Sequence, residues 1–162
     1  MKLPACEHDV ALRPATPVDH DFLLVVYAST RAEELAQIDW SDEQKAAFVH
    51  MQFEAQAAHY DAHYPRQERF VIEVAGERAG RLYLDSGGKE ELRIMDITLL
   101  PAFRGRGAGG FLLRQLITEA RGTSRPLRIH VEKNNRALSL YERLGFRAIA
   151  DREAYWFLEL KP

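Results

Sequence analysis

The stretch spanning residues 94–119 constrains the fold of this chain more than any other part of the sequence. It begins with an apolar run rich in Ile, Leu and Thr, which predicts a β-strand, and continues into a loop dense in glycine. Residues with helical spacing follow the loop, at Phe111, Leu112, Gln115, Leu116 and Glu119. The order of strand, glycine loop and helix predicts an α/β unit with a ligand-binding turn.

The loop has the chemistry of an anion site. Glycines at positions 105, 107, 109 and 110 leave its amides unobstructed, and the start of the following helix directs unsatisfied N–H groups and a positive dipole end toward the same place. Arg104, Arg106 and Arg114 add full positive charges. The sequence therefore predicts a ligand with several phosphoryl groups rather than a single carboxylate.

A dinucleotide-binding turn is one alternative. Gly105-x-Gly107-x-x-Gly110 matches that fingerprint, and Glu132 follows at roughly the distance of 20 residues at which an acidic residue holds a ribose hydroxyl. A doubly wound domain, however, needs several more strand–helix units than residues 133–162 can supply. The fingerprint alone is therefore a weak argument for a dinucleotide enzyme.

Length and composition predict one globular domain over residues 1–162. The chain is 46% hydrophobic and 28% charged, and its formal net charge of -2 gives no reason to expect nucleic acid or an anionic membrane as a partner. The single cysteine, Cys6, excludes an intrachain disulfide and is a poor nucleophile candidate near a loose terminus. No apolar run approaches the ~20 residues of a membrane span, and the first nine residues lack a signal-peptide core. We expect a soluble, cytoplasmic protein.

Periodicity and turn signals predict strands over residues 10–13, 70–75, 79–85, 90–99, 127–131, 146–150 and 155–160. The strands at 70–75, 79–85 and 90–99 read as an antiparallel meander, and the last two as a closing hairpin. Thr16 with Asp19 forms one helix-capping box and Ser41 with Gln44 another. A further helix is predicted to open at Asn134 and to end at Gly145.

The helix after Ser41 carries two apolar stripes. The stripe predicted to be buried consists of Ala47, Phe48, Met51, Ala55, Ala58 and Ala62. A second stripe lies on another side, as packing under a loop or as an aromatic wall of a substrate cleft, and consists of Phe53, Ala57, Tyr60 and Tyr64. His59 and His63 have a spacing compatible with metal ligation, but Tyr occupies position 60 where a zinc protease has Glu, and a solvated pair is the favoured interpretation.

Two blocks of sequence together resemble one known family. The glycine loop, read as Phe103-Arg104-x-x-Gly107-x-Gly109, resembles the pyrophosphate-binding motif of the GNAT superfamily of acyl-CoA N-acetyltransferases. The second block, Asn134-x-x-Ala137-x-x-x-Tyr141-Glu-x-x-Gly145-Phe146, resembles the other diagnostic segment of that family. An ordinary amphipathic helix with a glycine cap accounts for Leu138 and Gly145 but not for Asn134 and Tyr141 together.

The resemblance implies an α/β (α+β) domain with a mixed sheet of about six or seven strands and about four flanking helices. The strands at 90–99 and 127–131 are expected to splay apart so that acetyl-CoA, the implied acetyl donor, inserts between them without a metal. The residues implied to contact the cofactor are Ile97, Thr98, Leu99, Arg104, Gly105, Arg106, Gly107, Ala108, Gly109, Asn134 and Tyr141.

The chemistry implied by this family is direct attack of a neutral amine on a thioester. A phenol can protonate the departing thiolate, which makes Tyr141 the candidate general acid. Glu91, Asp96 and His130 are the candidate bases, and the choice among them stays open. An odd separation places Glu91 and Asp96 on opposite faces of a regular strand.

Two functions remain in play at this point. The first is an N-acetyltransferase acting on a primary amine, and the second is a non-catalytic acyl-CoA-binding sensor or interaction module on the same fold. The acceptor, the range of acyl groups and the choice between monomer and homodimer are not determined. A cationic amine would suit an acidic cluster that otherwise reads as a solvated face, formed by Glu33, Glu34, Asp39, Asp42 and Glu43.

Overall fold

The computed structural model describes residues 9–162, so Cys6 lies outside the described residues. In chain order the elements are β1 (Val10–Pro14), α1 (His20–Ala36), α2 (Asp42–His63), β2 (Gln67–Val74), β3 (Glu77–Asp85), β4 (Leu92–Leu99), α3 (Ala108–Gly122), β5 (Leu127–Glu132), α4 (Leu138–Arg143), β6 (Arg147–Arg152) and β7 (Tyr155–Leu160). Short 3-10 turns at Pro17–Asp19 and Pro101–Phe103 precede α1 and α3.

The strands form one mixed sheet in the order β1-β2-β3-β4-β5-β7-β6. Only the central pair, β4 and β5, is parallel, and every other neighbouring pair is antiparallel. Parallel neighbours need a crossover connection, which α3 supplies. The predicted α/β class, the antiparallel meander and the closing hairpin are confirmed, as is the expectation of a mixed sheet of about six or seven strands with about four helices.

Helices cover the sheet on both faces. Leu112 and Leu116 of α3 are fully buried and share a core cluster with Tyr141 of α4 and with Leu82 and Ile94 of the sheet. A second, smaller cluster on the other face joins α1 and α2 to the sheet, through Leu23, Tyr27, Val49, Phe53, Val71 and Tyr83. The candidate functional site described below lies where the central strands separate, between these two layers.

The prediction of which face of α2 is buried is wrong except at Phe48, which packs against the second cluster. Met51 is 59% exposed, and the alanines of that stripe lie largely in solvent. Val49 and Phe53 are buried instead, and Tyr60 packs against the same cluster. Alanine contributes little apolar area on burial, so the larger side chains of a neighbouring stripe decide which face of the helix packs against the sheet. Phe53 and Tyr60 belong to the second stripe named from the sequence, and Val49 extends that stripe toward the start of α2.

The start of α4 also differs from the prediction. The helix begins at Leu138 rather than at Asn134, because residues 133–137 form turns. The side chain of Asn135, not Asn134, bonds this turn by accepting from the amide of Ala137 at 2.8 Å. The predicted C-terminal cap stands, since Gly145 has a φ of 104° and the amide of Phe146 donates to Tyr141 at 3.1 Å.

Candidate active site at the opening between β4 and β5

The two central strands separate partway along their length. β4 and β5 pair from Leu92 with Leu127 to Ile94 with Ile129, and no further. On their outer edges both strands continue, β4 pairing with β3 to Leu99 and β5 pairing with β7 to Glu132. The inner edge of residues 95–99 therefore has unpaired backbone groups that an extended ligand can bond.

The glycine loop lies directly after this open edge. Gly105 and Gly107 have φ values of 74° and 85°, a conformation that side-chain-bearing residues rarely adopt, and Gly107 is the N-cap of α3. Within residues 9–162 the amides from 105 to 110 make no backbone hydrogen bond, and the amide of Phe111 is the first to bond back, to Gly107. These amides are therefore free to donate hydrogen bonds to an anion.

Positive side chains surround the loop. The Nε of Arg104 donates to the carbonyl of Leu99 at 3.0 Å, which fixes the guanidinium near the end of β4. Arg106 is exposed and lies over the ring of Phe103, 5.8 Å from its centroid. Arg114, on the second turn of α3, lies close to Gly110. The loop thus combines free amides with positive side chains, a combination that suits a ligand with several phosphoryl groups.

Tyr141 reaches the opening from α4. It is 4% exposed, and its ring meets Phe146 edge to face with centroids 5.4 Å apart. Burial, together with the negative charge of Asp96, raises the pKa of the phenol well above its ordinary value of 10. No group in the described part of the chain bonds the hydroxyl, so this neutral donor is available to a ligand. Asn134 lies exposed in the turn before α4.

Asp96 lies on β4 in the open region. It forms an ion pair with the Nε of Arg81, and the hydroxyl of Thr98 donates to it at 3.1 Å. Arg81 is itself 2% exposed and also donates to Gln56 of α2 at 2.9 Å. A buried guanidinium is tolerated because it is paired and hydrogen-bonded. The carboxylate of Asp96 is consequently held in one place.

His130 lies on β5, one residue beyond the last pair with β4. Its imidazole stacks on Phe157 with centroids 4.4 Å apart and planes at 10°. Burial, followed by the charges of Arg93 and Arg152, lowers the pKa of His130 below its ordinary value of 6.5. The ring is therefore neutral at pH 7 and has a lone pair that can accept a proton.

Glu91 lies apart from the opening, beyond the start of β4 where the central strands are paired. It accepts from Arg93 at 3.0 Å and from Arg128 at 3.2 Å. The expectation that Glu91 and Asp96 lie on opposite faces is wrong, because Met95 is an extra residue between Ile94 and Asp96, which pair with Leu84 and Tyr83. This bulge shifts the alternation by one residue.

Other candidates are placed as follows. His59 and His63 are exposed and stack on each other, and the Nδ1 of His63 donates to the carbonyl of His59 at 2.9 Å. Residues 9–162 contain no group of three His, Cys, Asp or Glu side chains arranged for a metal ion. Glu132, the acidic residue of the dinucleotide fingerprint, pairs with Arg31 at 3.3 Å.

The acidic cluster around the turn from α1 to α2 is exposed throughout, and Glu33 pairs with Arg136 at 2.7 Å. None of the helices described is long and apolar enough to cross a bilayer.

Sequence reasoning missed Arg81 beside the opening, and it named Tyr60 only as a member of the second stripe of α2. Arg81 stacks over Tyr83, 4.6 Å from its centroid, and the hydroxyl of Tyr60 donates to the carbonyl of Met95 at 3.4 Å. A signal for Arg81 existed, since a charged residue within the buried strand Ala79–Leu84 requires a partner. Its partner lies 15 residues away in sequence and is visible only in the folded sheet.

Known proteins of the same architecture match this fold over nearly its whole length. A PaiA N-acetyltransferase from Thermoplasma acidophilum, solved with coenzyme A, matches with a TM-score of 0.68 and 16% identity, covering 94% of this chain and 99% of that one. A GNAT acetyltransferase from Elizabethkingia anophelis with acetyl-CoA bound matches with a TM-score of 0.58 and 20% identity, covering 95% and 99%. At these identities the likeness establishes the fold.

A match of the sequence itself establishes the family to which the chain belongs. Residues 32–146 match the acetyltransferase (GNAT) family, so the chain belongs to that family. A relative described as the N-alpha-acetyltransferase RimI of Mycobacterium tuberculosis is 38% identical over 66 residues. That match spans 41% of this chain and 41% of the relative. The family suggested by the two sequence blocks is confirmed.

Proposed function

We propose that this protein is an N-acetyltransferase that transfers an acetyl group from acetyl-CoA directly to a primary amine. The observation that carries the proposal is the open edge of β4, bounded at one end by the free loop amides and faced by the phenol of Tyr141. A cofactor with a long arm, a pyrophosphate and a reactive thioester fits those three features in that order. The family membership and the relatives solved with coenzyme A or acetyl-CoA support it.

In this proposal the pantetheine arm of acetyl-CoA bonds the backbone of Ile97, Thr98 and Leu99, as an added strand does. The pyrophosphate accepts hydrogen bonds from the amides of the loop and from its arginines, along the residues Arg104, Gly105, Arg106, Gly107, Ala108 and Gly109. Asn134 contacts the arm from the opposite side. Fixing the donor in this way places the thioester beside Tyr141 and leaves the other side open to the acceptor.

The reaction then needs three contributions from the chain. A backbone amide of the open edge stabilises the oxyanion that forms when the amine attacks the carbonyl. The C–S bond breaks as the tetrahedral intermediate collapses, and Tyr141 donates its proton to the departing thiolate. The high pKa of the phenol keeps it protonated at working pH. No covalent enzyme intermediate is required.

Among the three candidate bases we assign His130. Its lowered pKa keeps the imidazole neutral and able to accept a proton from the attacking amine, directly or through one water molecule. The oxygens of Asp96 already accept from Arg81 and Thr98, so we do not assign Asp96 as the base. Glu91 is bound between two arginines at the paired end of the strands.

The test is thiol release from acetyl-CoA measured with a panel of amines: amino acids, polyamines, aminoglycosides and peptides with free N-termini. The N-alpha-acetyltransferase relative supports including α-amines in the panel. A thermal-shift titration with acetyl-CoA, NAD and ATP accompanies it, since a ligand of the native state raises the melting temperature. Stabilisation by NAD or ATP but not by acetyl-CoA would refute the proposal. Stabilisation by acetyl-CoA without turnover of any amine would favour a non-catalytic acyl-CoA-binding module.

A further inference from the structure

Three side chains that can carry positive charge converge on one buried ring beside the opening. Phe157 of β7 is 6% exposed, and the imidazole of His130 stacks on it. The guanidinium carbons of Arg93 and Arg152 lie 4.7 Å and 4.8 Å from its centroid. The three side chains come from β4, β5 and β6, so the sheet brings together residues far apart in sequence.

The charges of this cluster do not balance. Three guanidiniums, of Arg93, Arg128 and Arg152, face two carboxylates, of Glu91 and Glu159. Arg93 and Arg128 are paired, whereas Arg152 has no carboxylate partner among residues 9–162. The lowered pKa of His130 means that the imidazole adds no charge at pH 7. One uncompensated positive charge therefore remains, and it lies on Arg152.

Arg152 is exposed yet held in place. An Nη of its guanidinium lies 3.5 Å from the Nε2 of His130, and the flat guanidinium rests near the face of Phe157. A guanidinium that contacts an aromatic ring through its face keeps its other N–H groups free to donate to a ligand. A fixed guanidinium with free N–H groups suits the two oxygens of a carboxylate.

We propose that Arg152 binds a carboxylate of the acceptor, and that the acceptor is thus an amine with a carboxylate close to it. This inference rests on the proposed function, because it concerns the acceptor side of the same opening. With the amine directed to His130 and the carboxylate to Arg152, the two groups belong to one small unit. The α-carboxylate of a free amino acid and the acidic side chain at the start of a peptide both supply this chemistry.

The first experiment measures binding by calorimetry, with and without coenzyme A, and does not depend on turnover. N-Acetyl-L-alanine and its carboxamide differ only in the charged group, and we expect the carboxylate to bind at least about 10-fold more tightly. Arg152→Ala should remove that difference, and Arg152→Lys should retain part of it. Equal affinities for these two ligands in the unmodified protein, together with no tighter binding of the side-chain carboxylate described below, would overturn the inference.

A matched control is available on the same strand. Arg147 is also exposed in β6 but contacts neither His130 nor Phe157, so Arg147→Ala lowers the net charge by the same amount. The preference for the carboxylate should survive in this variant. If both variants lose the preference for the carboxylate, Arg152 acts only through the overall electrostatic potential of the protein, and the assigned contact between Arg152 and the carboxylate would be wrong.

A second comparison identifies the source of the carboxylate and separates this inference from the proposed function. N-Acetyl-L-alanine presents an α-carboxylate, whereas N-acetyl-L-alanyl-L-glutamic α-amide presents only a side-chain carboxylate, and the tighter ligand identifies the source. In the thiol-release assay, Arg152→Ala should raise the KM of the carboxylate-bearing amine about 10-fold and leave the KM of acetyl-CoA unchanged. Carboxylate binding through Arg152 without turnover of any amine would count against the proposed function and in favour of the carboxylate site at Arg152.

Discussion

Replacing Tyr141 by Phe tests the proposed chemistry most directly. The substitution removes one oxygen and keeps the ring, whose edge-to-face contact with Phe146 and 4% exposure show that it is packed in the core. Because no group in the described chain bonds the hydroxyl, the variant loses no internal hydrogen bond. We therefore expect a change in unfolding free energy of no more than about 0.5 kcal/mol.

The kinetic effect should be much larger than the effect on stability. A general acid contributes about 10- to 1,000-fold here, within or near its usual range, and that corresponds to roughly 1.4 to 4 kcal/mol of barrier. The loss should appear in kcat, with the dissociation constant of acetyl-CoA nearly unchanged. The loss should shrink at low pH, because solvent then protonates the thiolate more readily.

The assay is thiol release under saturating acetyl-CoA, with single-turnover measurements to establish that chemistry limits the rate. Tyr155→Phe serves as the control, since it removes a phenol from the start of β7. Equal kcat for Tyr and Phe at position 141, with chemistry limiting, would refute the reasoning. The acid would then be water or another residue, and the phenol would only pack.

Three further predictions concern the loop, the base and the buried ion pair. Gly107→Val should weaken acetyl-CoA binding by at least about 10-fold in calorimetry, because a side chain there strains a φ of 85° and obstructs the amides. The control variant Gly122→Ala, at the far end of α3, should leave acetyl-CoA binding unchanged. In the native protein we expect activity to fall as the pH drops through the lowered pKa of His130, since only the neutral imidazole accepts a proton. His130→Gln should lower kcat/KM by about 100-fold or more and abolish that fall, and an unchanged pH profile would contradict the assignment of His130 as the base. Arg81→Met should lower the unfolding free energy by about 3 to 5 kcal/mol in urea titrations, because it leaves Asp96 without its partner. The double variant that also carries Asp96→Asn should recover part of that loss, and no recovery would show that the guanidinium acts through packing alone.

The sequence by itself determined the elements whose signals are local. Glycines with positive φ, capping boxes and the two family blocks lie within short segments, so the loop at 104–110, the cap at Gly145 and the family could be predicted without coordinates. The strands were placed to within three residues because alternation and turn residues are also local properties.

Tertiary structure decided which side chains meet. The bulge at Met95 placed Glu91 and Asp96 on one face of the sheet, and no local sequence pattern predicted it. The aromatic stripe of α2 prevailed over the alanine stripe because burial depends on what the helix packs against. Arg81 with Asp96, and His130 with Arg152, are contacts between strands distant in sequence. Sequence spacing does not encode such contacts, because they depend on sheet order and register, which are properties of the whole chain.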